Sequence, residues 1–511
     1  MIPEVDQLAE DPAVLRARIA TDPARPRFHF TAPTGWLNDP NGLCQWDGIH
    51  HLFYQYNPFG GYHHRIHWGH ATSTDLVHWA DQPVALAPDR GGPDSDGCWS
   101  GVLVDDGGVP TVVYSGKVGD VVLPCLATGS ADLLNWRKFA GNPVIDEQPL
   151  PELAGFRDHC VWREGDQWRM LIGAGVADSG GFVALYESPD LRSWRYLGPI
   201  LSGTMYDRAY DDPLWPGTVW ECAELFRLAG DQDVPLDRTH PGRDFLVFSA
   251  WHGDLSRHAL YWSGSYRGDS FAPEGLHPLD LGGAYFYAPQ SYRDDAGRRI
   301  MFGWLQEARG VTANLAAGWA GVMSMPRLVA ERGDGTLHLS PAPEVDLLHG
   351  ALLANLSTVV VPGTAQRFPE VAGDQLDLEL CATLCPGAGI EIHLPGEEVD
   401  DGYLAGAILR IFRIRQNKLE VQLDRSATTW EPGVDTGPRG GAAPVSDEGI
   451  TEVRVLIDHS VLEVFVNGVP LSARVHSTGF HSPLTLRATG DGVATSLRAW
   501  RMPDALPRQR L

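Results

Sequence analysis

No stretch of the 511 residues approaches 18 consecutive apolar side chains, so a membrane-spanning helix is excluded. Basic charge is scarce: 40 Lys and Arg against 65 Asp and Glu give a formal net charge of −25. Nucleic acid and anionic membrane both demand a basic footprint, which removes them as partners and favours a neutral or weakly charged ligand. The seven cysteines are odd in number and scattered without the pairs of pairs that hold zinc. Cys381 and Cys385 fall in a strand-like run and read as packing residues. Free thiols fit a reducing compartment. Met1 to Asp22 has no basic stretch followed by an apolar run, so no secretory signal is expected and the predicted location is the cytoplasm.

Tryptophan, by contrast, is abundant at 17 residues. Large flat rings with a polar N–H suit partly wet, concave sites, of which sugar sites are one kind. Some of these rings punctuate a repeat. Ser73-Thr74-Asp75-Leu76-Val77-His78-Trp79 recurs as Ser130 to Trp136 and again as Ser188 to Trp194, at separations of 57 and 58 residues. Short β-like runs around each copy point to propeller blades rather than helical repeats. The Asp of each copy (Asp75, Asp132, Asp190) reads as a structural turn residue.

Five pairs of β-like runs lie between about residues 30 and 340, and they predict a five-bladed propeller. The first member of each pair is Leu43–Trp46, Val102–Val104, Cys160–Arg163, Cys222–Arg227 and Gln290–Arg293. Ser202–Asp212 and Ala229–Arg243 read as loop insertions. Beyond Ser340 the repeat stops and alternating runs predict an antiparallel β-sandwich, with Gly433–Gly449 as a loop. The expected organisation of this all-β chain is an N-terminal extension with one short helix (1–25), a propeller (26–340), a linker (341–352) and a sandwich (353–511). The sandwich offers a surface through which a homo-oligomer could form.

The inner strand of each propeller blade lines the central channel, so residues preceding those strands converge at one mouth. The first blade brings Trp36-Leu37-Asn38-Asp39-Pro40-Asn41-Gly42, the third Arg157-Asp158 and the fourth Trp220-Glu221-Cys222. Taken alone, Asp39 is a turn aspartate. With two more acids at equivalent positions it becomes a reactive group. Three close carboxyl groups cannot all ionise comfortably, and a raised acid beside an ionised carboxylate is what glycoside hydrolysis requires. Arg157 is expected to hold Asp158 ionised. Asp39 and Glu221 then remain as nucleophile and acid, with the longer Glu able to reach a leaving-group oxygen. His63, His64, His67 and His70 invite a metal reading, but no local acid or cysteine completes a site, so neither metal nor cofactor is expected.

These motifs resemble glycoside hydrolase family 32, the invertases, inulinases and levanases, over nearly the whole chain. The supporting matches are Phe53 to Pro58, His67 to His70, Trp99-Ser100-Gly101, Tyr287 to Gln290, Gly318 to Gly321 and, in the sandwich, Asp458 to Asn467. The resemblance implies a retaining β-fructofuranosidase acting on a small carbohydrate. Asp39 is its nucleophile, Glu221 its acid/base and Asp158 its transition-state stabiliser. It further implies that Trp36, Asn38, Gln55, Trp68, Trp99, Ser100, Arg157 and Trp319 bind or enclose the fructosyl unit. A fructosyltransferase or fructan hydrolase would use the same acids. An inverting glycosidase on arabinose or xylose polymers and a non-catalytic sugar-binding protein are the competing readings; the latter should lack an acid, and none is missing. The chain departs from the family at Gly60–Ile66, where His63 or Tyr62 replaces a pocket tryptophan. It also departs at His159 and Ala223, which are often proline, and before Tyr287, where Asp280 is the nearest acid.

Overall fold

The computed structural model describes residues 12–236, 240–361, 363–399, 403–429, 433–446, 449–477, 479–490 and 493–505. A short helix, Pro12–Ala20, precedes five antiparallel sheets whose innermost strands are Gly35–Trp46, Gly97–Asp105, Leu153–Glu164, Val219–Ala229 and Tyr287–Arg293. These are the five blades of a propeller. The ring closes where Trp319–Ala320, after the second strand of blade 5, pairs in parallel with Gly35 and Trp36 of blade 1.

The repeat has the structural meaning its regularity suggests. In each copy the Asp carboxylate accepts backbone N–H bonds from the residues that follow: Val77 and His78 for Asp75, Leu134 for Asp132, Arg192 and Ser193 for Asp190. The Trp indole closes the turn by donating to the carbonyl of Leu76, Leu133 or Leu191. Those leucines sit at φ of 58° to 68°, a strained conformation that the surrounding bonds fix in place. Each turn delivers the chain to the outermost strand of its blade.

Every inner strand begins several residues earlier than its apolar run suggests, so the acids lie within the strands rather than before them. The reason is a register shift in each blade at a similar height. The shifts fall between Leu37 and Pro40, Trp99 and Gly101, Arg157 and His159, Glu221 and Glu224, and Tyr287 and Gln290. A bulge lets a strand keep its partner while one polar residue turns aside. Asp158, Cys222 and Ala288 occupy three of these bulges at φ of 63°, 48° and 49°. Positive φ at non-glycine residues, repeated at one level of a channel, is the backbone signature of a built site.

One of the two expected insertions differs from expectation in part. The segment after Ala229 contains a short strand, Gln232–Val234, paired to the end of the fourth inner strand, while 237–239 lie outside the described residues. A helix, Val311–Ala317, precedes the closing strand. It carries too little apolar periodicity to be read from sequence.

A 3₁₀ turn, Pro343–Leu348, joins the propeller to two six-stranded sheets packed face to face over an aliphatic core that includes Leu378, Ile390, Leu409, Val455 and Leu497. The loop expected at Gly433–Gly449 contains an edge strand, Arg439–Pro444, paired with Lys418–Asp424. Glycine is required at Gly440, where a Cβ would lie 2.1 Å from the Val421 carbonyl oxygen, and a Cβ at Gly441 would press on the end of the Leu281 side chain at 2.7 Å.

Sandwich and propeller share buried charges. Asp458 accepts the backbone N–H groups of Arg27, Phe28 and His29, and the His29 ring bridges Asp458 and Glu463 at 2.9 and 3.0 Å. Arg327 joins Glu463 to Asp280. Asp280 therefore belongs to this junction, where it also accepts the Ser472 N–H, and it is not an acid of the central mouth. Among the described residues no helix is long and apolar enough to cross a membrane.

Candidate active site

Three of the bulges hold the acids, and each acid has different partners. Asp39, 8% exposed at the floor of the mouth, accepts Ser100 Oγ at 2.6 Å and Gln55 Nε2 at 2.9 Å on one oxygen, and Asn38 Nδ2 at 3.0 Å on the other. Trp36 Nε1 in turn donates to Asn38 Oδ1 at 2.7 Å. A carboxylate held by three donors from three strands cannot rotate away. Asp158 accepts the Cys222 backbone N–H at 3.0 Å and faces the Cys222 thiol, whose sulfur also lies 3.6 Å from Asp39 Oδ2. Cys222 thus separates two carboxyl groups as a neutral donor. Burial and the neighbouring charges of Asp158 and Asp39 hold its pKa well above the usual thiol range.

Glu221 has the partner that the sequence assigned elsewhere. Arg157 Nη2 and Nε lie 2.6 and 2.8 Å from Glu221 Oε1, and no hydrogen bond joins Arg157 to Asp158. The bulge at Asp158 explains this correction, because it turns Asp158 down the channel while Arg157 reaches across to blade 4. The Tyr287 hydroxyl, from the first position of the fifth inner strand, donates to Glu221 Oε2 at 2.5 Å. Arg157 also stacks its guanidinium over Trp99 and Trp251, at 5.9 and 5.2 Å from the ring centroids.

The electrostatics follow from crowding. Burial and then the charge of Asp158 push the Asp39 pKa up to about 7, against the pull of Ser100 and Asn38. Burial and the charge of Glu221 push Asp158 up to about 6, with Arg157 and Cys222 opposing. Burial and the Glu221 charge raise the Tyr287 hydroxyl well above the ordinary phenol value, so it stays a donor. One proton shared among several close carboxyl groups is the state such a cluster favours near neutrality.

Above the acids opens a cavity of about 340 Å³, a size that suits a small ligand. Trp36, Asn38, Gln55, Trp99 and Arg157 line it as expected. Ser100 lies beneath, bonded to Asp39. Trp68 and Trp319 do not face it. Trp68 stands on the third strand of blade 1, away from the axis; its ring is fully buried among Phe53, Leu86 and Val112, and its N–H donates to the Trp99 carbonyl. Trp319 is 1% exposed behind the closing strand, where its N–H donates to Asp22. A motif tryptophan reveals that a ring is needed but not which side of the blade it fills.

His63 does enter the pocket, edge-on to Trp36 and Trp99 at centroid distances of 6.2 and 5.5 Å, while Tyr62 is buried. The other histidines of that cluster diverge: His67 bonds the Arg65 carbonyl and His70 the ring of His51. Tyr287, Trp304, Trp251, Asp254 and Ser256 also line the cavity and were not singled out. Tyr287 was findable, since it opens an inner strand as Trp36 does. The turn bearing Asp254 and Ser256 follows the second strand of blade 4 and carries no signal of its own.

Comparison with known proteins agrees with this geometry. The profile described as glycosyl hydrolases family 32 N-terminal domain matches residues 29–341, and the one described as glycosyl hydrolases family 32 C terminal matches 403–501. A sucrose-6-phosphate hydrolase of Zymomonas mobilis is 31% identical, over 94% of this chain and 92% of its own length. A raffinose invertase of Escherichia coli is 33% identical, over 93% of this chain and 95% of its own. In fold, the chain superposes on fructan 1-exohydrolase IIa from Cichorium intybus with a TM-score of 0.82, at 24% identity, over 95% of this chain and 99% of that one.

Proposed function

The chain belongs to glycosyl hydrolases family 32, and from that premise we propose that it releases fructose from β-fructofuranosides by a retaining double displacement. The observation that carries this reading is the division of labour among the acids: Asp39 is immobilised by three donors, while Glu221, lining the same pocket, is held by Arg157 and Tyr287. In the first step Asp39 attacks the anomeric carbon as Glu221 gives its proton to the glycosidic oxygen, and the leaving sugar departs as an alcohol. Arg157 stabilises the Glu221 carboxylate that results. In the second step that carboxylate takes a proton from water. The hydroxide portion bonds to the anomeric carbon, the ester to Asp39 breaks, and fructose leaves. Asp158, turned into the channel by its bulge, supports positive charge developing on the ring.

Asn38, Gln55 and Trp36 serve this step by fixing Asp39, and Trp99 walls the pocket. The test is fructose release by Asp39→Asn and Glu221→Gln. Each is expected to lose at least about a thousandfold in kcat while remaining folded and no less stable at neutral pH. Turnover near that of the unaltered enzyme in either would refute the roles.

A second reading concerns the leaving group. Lys117 Nζ sits 4.8 Å from the Trp99 ring and is the cation of this rim, since burial and Lys117 push the neighbouring His63 imidazole down to about 4 and leave it neutral. In a chain of net charge −25 this local positive edge favours an anionic leaving group such as a phosphorylated aldose. Relatives named sucrose-6-phosphate hydrolase act on such a compound.

A further inference from the structure

The bulges that aim the acids leave amides without partners in their own sheets, and two serines outside the pocket take up two of them. Asp158, Cys222 and Ala288 are skipped by the strand pairing of blades 3, 4 and 5, and all three sit at positive φ. A bulged residue forfeits its ladder hydrogen bond, so its N–H must find an acceptor elsewhere. Each of these three finds it in the preceding blade. Ser115 Oγ of blade 2 accepts the Asp158 N–H, Asp158 Oδ2 of blade 3 accepts the Cys222 N–H, and Ser249 Oγ of blade 4 accepts the Ala288 N–H, all at 3.0 Å.

The two serines occupy one structural position. Each lies on the second strand of its blade, opposite the last paired residue before the bulge: Ser115 pairs with Trp99, and Ser249 with Glu221. Both are fully buried. The same position in blade 3 is Gly173, opposite Arg157. No side chain fits there, since a Cβ would lie 2.0 Å from the Trp220 carbonyl oxygen. Blade 3 therefore supplies its bond to blade 4 from Asp158 itself.

Positive φ at a residue other than glycine is costly and persists only where its surroundings over-determine it. At Asp158 that conformation sends the carboxylate down the channel beside Cys222. At Ala288 it fixes the backbone next to Tyr287, whose hydroxyl donates to Glu221 Oε2. We propose that Ser115 and Ser249 are positioning residues of the cleavage reaction. Ser115 holds Asp158 where it supports the transition state, and Ser249 holds Tyr287 against Glu221. The proposal rests on the roles given above to Asp158 and Glu221. Neither serine lines the cavity, so both act on the transition state through these neighbours and not on substrate binding.

Alanine at either position removes the acceptor and hardly alters packing, so full-length variants test the idea. Ser115→Ala should lower kcat for sucrose about 10- to 100-fold with KM within about threefold. Added to Asp158→Asn it should cost less than about threefold more, whereas a general loosening of the blade would exact its full effect again. Ser249→Ala should lower kcat/KM for sucrose about tenfold, yet stay within about threefold of the unaltered enzyme on a β-fructofuranoside whose phenol leaving group needs no protonation. Should an alanine variant not fold, Ser115→Cys or Ser249→Cys takes its place, since sulfur is a weak acceptor of similar size. Sucrose hydrolysis within about twofold of normal in either variant would overturn the proposal. So would full additivity with Asp158→Asn, or equal losses of Ser249→Ala on the two substrates. Near-normal turnover by Asp39→Asn or Glu221→Gln would instead overturn the reading on which it rests.

Discussion

Arg157 Nη2 lies 2.6 Å from Glu221 Oε1, so the arginine of blade 3 serves the acid of blade 4 rather than Asp158, its own neighbour in sequence. This pair divides the three carboxyl groups into two kinds. Glu221 is matched by a cation and a phenol. Asp39 and Asp158 accept their hydrogen bonds from neutral donors, and Arg157 acts on Asp158 only through its charge.

Arg157 is therefore a positioning residue for the proton-transfer group. Arg157→Gln should lower kcat by about 10²–10³ with a smaller change in KM, and Tyr287→Phe should lower it less. A stopped assay over a range of sucrose concentrations separates kcat from KM for both variants. Equal and purely KM-based losses would mean that Arg157 only binds substrate.

The raised pKa of Asp39 has a cost in stability with a definite sign. Because burial and Asp158 push Asp39 above its unfolded value, its contribution is complete below about pH 4 and is lost as pH climbs through about 7. Asp39→Asn escapes that loss. It should be more stable than the unaltered enzyme by about 1–3 kcal/mol at pH 8 and no more stable at pH 4. Denaturant titrations at the two pH values check this.

Three of the four motif tryptophans should separate by assay. Trp99→Phe is expected to raise KM with little change in unfolding temperature. Trp68→Phe and Trp319→Phe should lower the unfolding temperature through lost packing and a lost N–H bond, at about 1–3 kcal/mol each, while KM stays nearly constant.

A basic rim makes a prediction about substrate. Lys117→Ala should reduce kcat/KM for sucrose 6-phosphate by about tenfold or more and leave sucrose within about twofold, with the difference shrinking at high salt. Equal effects on both substrates would assign Lys117 to the support of Trp99.

The five-bladed plan was legible because a turn such as Ser73 to Trp79 must satisfy the same backbone bonds each time, which forces the same residues at the same spacing. Asp39, Asp158 and Glu221 were legible because blade equivalence makes position in sequence a proxy for height in the channel. Partners across blades were not. Arg157 reaches Glu221 over 64 positions, and only the bulge at Asp158 decides which way each of two adjacent side chains points. Trp68 and Trp319 were misplaced for a related reason, since a blade offers a ring both a pocket side and a packing side. The edge strand Arg439–Pro444 was hidden by its glycines, which permit close pairing with Val421 but look like a loop.

Covalent trapping of the fructosyl group tests the central claim most directly. Glu221→Gln is given a β-fructofuranoside whose leaving group needs no protonation, then quenched in acid, digested and examined by mass spectrometry. The mechanism predicts one anhydrohexose on the peptide carrying Asp39, and none when Asp39→Asn is added. An adduct on any other residue, or hydrolysis with inversion and no adduct, would contradict it.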